Sequence, residues 1–156
     1  MDTPGPAAIH VLRDRTDEFN ALLAEIGPDR DMADETGPIT RDWPAWRLNT
    51  RLRDLDDVGP VIASKLLARK RPRLLPIWDT VVAKVTRTEI DQWVPLRSAL
   101  ADHDRALHRR LLELREVAGL PEPVSALRVF DVICWMEGKD KGFERRTAAA
   151  RGRRAR

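Results

Sequence analysis

The sequence is poor in the residues that most often carry chemistry. It has no tyrosine, one cysteine and three histidines in 156 residues. A lone thiol, Cys134, excludes an intramolecular disulfide and any four-cysteine metal or iron–sulfur site. Cys134 stands among Val132, Ile133 and Trp135 with no basic neighbour, which predicts a buried, inert thiol rather than a nucleophile. His10, His103 and His108 are scattered, and the five-residue step between the last two does not put them on one helix face, so no metal site is expected. Nor is there an apolar run near the roughly 18 residues that a spanning helix needs. Residues 1–6 contain no basic stretch leading into an apolar one, so neither a membrane partner nor a secretory leader is expected, and a reducing cytoplasm is the expected location. Alternating apolar and polar residues, the mark of a strand, are missing too, as are fixed-period repeats.

What is present is charge, unevenly distributed. The formal net charge is +3, from 28 basic and 25 acidic residues. Residues 58–88 hold seven basic residues and one acid, and residues 139–156 hold eight and two. Each zone is net +6, and the remainder is net −9. Such asymmetry points to a polyanionic partner. The length suits one domain, and a hydrophobic fraction of 42% is enough for a core.

Helical spacing of apolar residues predicts an all-α fold of about seven helices. They fall near residues 8–26, 43–55, 60–69, 79–87, 90–101, 104–118 and 124–136. Gly27-Pro28 stops the first. Asp42 is a candidate cap for the second, with Pro44 in its first turn. Gly138 is read as ending the last. The domain division is a helical body, residues 1–138, and a basic tail, residues 139–156. The tail reads either as a solvated end or as a non-specific DNA anchor. The acidic stretch 29–42 reads as a loop with one turn at most.

The most informative segment is Leu55-Asp56-Asp57-Val58-Gly59-Pro60-Val61-Ile62-Ala63-Ser64-Lys65. Two helices meet there through a short turn. A glycine lets the backbone approach a partner closely. The first amides of the following helix lack internal partners and sit at the positive end of its dipole, which suits a phosphate. Pro60 adds no penalty, because its missing N–H would have been an orphan. Lys65, Arg69, Lys70, Arg71 and Arg73 follow within nine residues without an intervening acid. Neutralising three or four phosphates would give duplex DNA affinity a log–log salt slope of about −3.

Val58-Gly59-Pro60-Val61-Ile62-Ala63 resembles a helix-hairpin-helix, and with Pro76-Ile77-Trp78-Asp79-Thr80-Val81-Val82 it resembles the signature of the helix-hairpin-helix DNA glycosylases. Asp79 lies twenty residues after Gly59, the spacing of that family. Residues 58–82 and 111–136 resemble more closely an uncharacterised actinobacterial family built around the same hairpin, which brings no activity with it. The resemblance implies sequence-independent binding of double-stranded DNA through Val58, Gly59, Val61 and the cations Lys65, Arg69, Lys70, Arg71 and Arg73. It implies that Asp79 is the carboxylate that orients a water or stabilises an oxocarbenium sugar as a base departs. Bifunctional members carry a lysine nucleophile where this chain has Val61, so a lyase step is not expected. No cofactor is implied beyond a monovalent cation on the carbonyls near Val58. Asp57 stands where the family has the hairpin's first glycine, and fewer helices precede the hairpin than a glycosylase has.

Three readings follow. The first is a DNA-binding module, a small or degenerate relative of the glycosylases. The second is a monofunctional N-glycosylase using Asp79. The third is a protein-interaction or antitoxin-like domain with an acidic partner. For single residues the plainer alternatives are an ordinary helical corner at 55–65, an N-cap at Asp79 and core packing at Trp43, Trp46 and Trp78.

Overall fold

The computed structural model describes residues 13–89 and 91–143. Six α-helices make up the described body, which contains no strand: α1 Thr16–Ile26, α2 Pro44–Arg53, α3 Pro60–Lys70, α4 Thr80–Thr86, α5 Trp93–Val117 and α6 Ala126–Asp140. One 3₁₀ turn, Met32–Asp34, lies in the acidic stretch. The fold is all-α and forms one domain, as the helical periodicity predicts. Among the described residues no helix is long and apolar enough to cross a membrane.

The helices bury apolar side chains unevenly: Ile62 and Leu66 of α3 and Val132, Ile133, Trp135 and Met136 of α6 stay exposed. Phe19, Leu22 and Ile26 turn inward from α1, Leu48 and Leu52 from α2, and Leu67 from α3. α1 packs on α2, α2 on α3, α4 on α6, and α5 on both α6 and the 3₁₀ turn. Leu74 and Leu75, in the loop after α3, are among the most deeply buried side chains, together with Met32, Leu67, Leu100 and Val82. Fully burying a leucine is worth about 1.5–3 kcal/mol. The loop at 71–76 is therefore pinned to the core by its own apolar pair, although its composition reads as a basic surface loop.

Several helix limits differ from the expected ones. The expected residues 8–12 of the first helix and residue 90 of the fifth lie outside the described residues. α2 is entered from Trp43, which is in the N-cap position without a side-chain cap bond, so Asp42 does not cap it. The break expected between the fifth and sixth helices is present inside α5. It is visible as non-helical backbone: Asp102 is extended, and His103, Asp104 and Arg105 take left-handed φ values of 50°, 54° and 59°. α6 starts at Ser125, whose hydroxyl accepts the Arg128 amide (3.2 Å), and runs past Gly138 to Asp140. The boundary expected at 138/139 thus falls inside α6. Gly138 is not a terminator but a contact residue: a Cβ there would run into Val81 Cγ1 of α4. Residues 144–156, most of the basic tail, lie outside the described residues.

Candidate nucleic-acid interface

The corner between α2 and α3 spans residues 54–59. It closes with the Val58 amide donating to the Leu55 carbonyl (3.2 Å), and α3 opens with the Ala63 amide donating to the Gly59 carbonyl (3.0 Å). Asp57 takes a left-handed φ of 64°. Aspartate is one of the few non-glycine residues that reach this region readily. Val58 is buried and anchors the turn to the core. Gly59 has φ −80° and ψ 176°, which any residue can adopt, and a Cβ on it would meet nothing within 4 Å. No side chain caps the first turn of α3. Its leading amides therefore keep their donor capacity toward solvent.

α3 divides cleanly into two faces. Ala63, Ser64 and Leu67 are buried. Ile62, Lys65, Leu66, Arg69 and Lys70 are exposed. The side chains of Lys65, Arg69 and Lys70 make no hydrogen bond or ion pair among the described residues. Val61 is half-buried at the start of the helix.

Arg71 and Arg73 are used differently. Arg71 donates to the carbonyls of Gly27 (2.6 Å), Leu23 (3.1 Å) and Lys70 (2.8 Å), which ties the end of α3 to the end of α1. Arg73 forms a two-pronged pair with Asp31 (2.9 and 2.7 Å), and its amide donates to Asp29 (3.1 Å). Such forked geometry is the strong form of the carboxylate–guanidinium contact. The Met32 amide donates back to the Arg73 carbonyl (2.9 Å). His108 and Arg105 also reach this stretch, at Asp31 and Asp34. The acidic stretch 29–35 is thus the internal partner of the basic loop. Arg73's hydrogen bond holds the Asp31 carboxyl below its ordinary value of 3.8, against the opposing effect of its partial burial.

Asp79 is the N-cap of α4: its Oδ1 accepts the Val81 amide at 2.7 Å. The carboxylate is half-buried rather than sealed. Asp131 of α6 lies near enough for the Asp79 charge to raise its proton affinity. Burial is the larger cause of that rise, and Arg128 and Lys65 oppose it. Lys65, Arg69, Leu75, Leu127, Arg128 and Asp131 border a cavity of about 320 Å³ between α3 and α6. Cys134 is buried, and burial pushes its thiol up to about 11, which leaves it protonated and unreactive at neutral pH.

The tryptophans fall into two settings. Trp43 is buried, and Trp93 meets it edge to face (5.4 Å, 82°). Trp93 meets Trp46 in the same way (5.1 Å, 82°). Trp46, Trp78 and Trp93 line a second cavity, of about 290 Å³, with Pro60, Ser64 and Gln92. Trp78, for which core packing is the plainer expectation, is half-buried and stands as a cavity wall. Four residues that the sequence did not single out matter here: Ser64, Gln92, Arg128 and Asp131. Only Ser64 left a trace, as the sole polar residue on the buried face of α3.

No curated protein and no solved structure matches this chain at a significant level. Residues 1–138 match a sequence family described as a family of unknown function (DUF6308). The chain belongs to that family.

Proposed function

We propose that this protein binds double-stranded DNA without sequence preference, through the opening turn of α3 and its exposed cations. The observation that carries the reading is the combination at one corner. An uncapped helix start, a glycine with open space around it at the N-cap, and three cations without an ion pair among the described residues belong to one helix and its entry turn. Backbone amides and lysine or arginine side chains are the usual phosphate contacts, and they carry no base information. Arg71 and Arg73 take no part, because their guanidiniums hold the fold. Asp57 opposes the interaction by charge, which limits the affinity.

The test is a gel-shift titration with duplex DNA. Reversing Lys65, Arg69 and Lys70 together to glutamate is expected to abolish binding while the melting temperature stays close to that of wild type. Unchanged affinity overturns the reading.

A base-excision activity is a second reading, favoured by one observation. Asp79 is half-buried, and a second carboxylate, Asp131 of α6, whose proton affinity is raised mainly by burial, is near enough to feel its charge. Asp79→Asn keeps an acceptor for the Val81 amide, so the cap survives. It is expected to leave duplex binding intact and to stop base release from a panel of damaged duplexes. If the wild-type chain releases no base from that panel, the second reading is dropped.

A further inference from the structure

We infer that the cavity walled by Trp46, Trp78 and Trp93 binds a planar nitrogen heterocycle of nucleobase size, either on a free nucleoside or extruded from a nucleic acid. Its volume, about 290 Å³, sits at the low end of small-molecule sites and suits one ring system. Three of the chain's five tryptophans line it. Trp93 is fixed edge-on against both Trp43 and Trp46, so that wall is rigid. Trp78 is fixed through its backbone: its amide donates to the Ser64 hydroxyl (2.9 Å), which can donate back to the Trp78 carbonyl (3.1 Å). Trp46 and Trp78 are only half-buried, which leaves indole surface available for stacking.

The second observation is Gln92. It is 4% exposed, its Nε2 reaches the Ile77 carbonyl only at 3.5 Å, and its Oε1 has no hydrogen-bond partner among the described residues. A buried amide oxygen without a partner is rare in a folded protein. An N–H at the edge of a heterocycle is the donor that it lacks.

The charges around the cavity narrow the ligand further. Glu89 and Asp91 face one cation, Arg53. The Asp91 carboxylate accepts the Trp93 amide (3.0 Å) and so stays in place. A net negative rim disfavours phosphate inside, so the ligand is the ring and any phosphate remains outside. Pro60 and Ser64 put the cavity beside the first turns of α3, next to the surface proposed for duplex contact. The inference does not depend on that proposal.

The experiment titrates the full chain with adenosine, guanosine, cytidine, uridine and thymidine, following tryptophan fluorescence excited beyond nucleoside absorption. Saturable quenching by at least one nucleoside is expected, with micromolar to millimolar affinity. The matching 5′-monophosphate is expected to bind no more tightly. Gln92→Leu removes an unpaired polar atom without opening a void, so it is expected to fold with an equal or higher melting temperature and to weaken binding by about tenfold or more. Trp135→Phe, on α6 and outside the cavity, is expected to change nothing. Absence of saturable quenching by every nucleoside overturns the inference, and so does unchanged affinity in Gln92→Leu. Competition by a duplex carrying a mismatched base identifies an extruded base as the source. Failure to compete identifies the free nucleoside. The Lys65, Arg69 and Lys70 reversal is expected to bind nucleoside normally, so failure of the duplex proposal and failure of this one are separate results.

Discussion

At the scale of single residues, the five cations between 65 and 73 illustrate how one local pattern can hold two kinds of work. Arg71 closes the end of α1 with hydrogen bonds to the Gly27 and Leu23 carbonyls. A bond from a charged donor contributes about 1.5–3 kcal/mol net. Arg71→Ala is therefore expected to cost about 2 kcal/mol, or about 4–8 °C in melting temperature, and to leave duplex affinity unchanged. Thermal melts and gel shifts on the same variant check both parts. Asp31 supplies a pH-dependent companion. Its folded carboxyl is held below the ordinary 3.8 by the Arg73 hydrogen bond. The stabilisation is thus present above that ordinary value and is lost as pH falls through the lower folded one. Asp31→Asn is expected to lower the melting temperature at neutral pH, with the gap to wild type closing in acid. A gap that stays constant from neutral to strongly acidic pH contradicts this assignment. Nothing local in the sequence separates Arg71 and Arg73 from Lys65, Arg69 and Lys70. Their partners lie more than forty residues away, and pairing at that distance leaves no periodic signal.

At the scale of elements, the legible features were those whose cause is local. Pro44 and Pro60 stand in first turns and Asp79 in an N-cap, and the apolar spacing marks Phe19, Leu22 and Ile26 as the buried face of α1. The misread features have remote or non-periodic causes. Gly138 resembles a helix terminator by type, yet its purpose is set by Val81, 57 residues earlier, against which α6 must pass without a Cβ. Gly138→Ala is expected to push α4 and α6 apart and to cost about 1–3 kcal/mol, as overpacking does. Chemical denaturation checks it, and a cost near zero shows that the two helices can slide without loss. The break at 102–105, by contrast, falls where the sequence reading separates helices 90–101 and 104–118, and His103, Asp104 and Arg105 take left-handed backbone there. The candidate site divides along the same line. The turn, the helix start and Asp79 could be read from residues 55–80 alone, whereas the aromatic cavity required α2, α3 and the start of α5 to converge.

At the scale of the whole molecule, the charge asymmetry of the sequence is partly consumed inside the fold. Asp29 and Asp31 meet Arg73, and Asp34 meets Arg105, so the acidic stretch is matched to cations of the same chain. The free positive charge left near the corner is that of Lys65, Arg69 and Lys70. Their field adds to the positive end of α3, and on the proposed reading this is the face that meets a polyanion. The salt dependence of duplex binding bears most directly on this. Each cation–phosphate contact adds about 0.9 to the log–log slope. Wild-type affinity is expected to fall with salt at a slope of about −3, and the triple reversal of Lys65, Arg69 and Lys70 is expected to lose both the affinity and nearly all of that slope. Wild-type protein that fails to bind duplex at low salt, or a triple variant that keeps the wild-type slope, would contradict it.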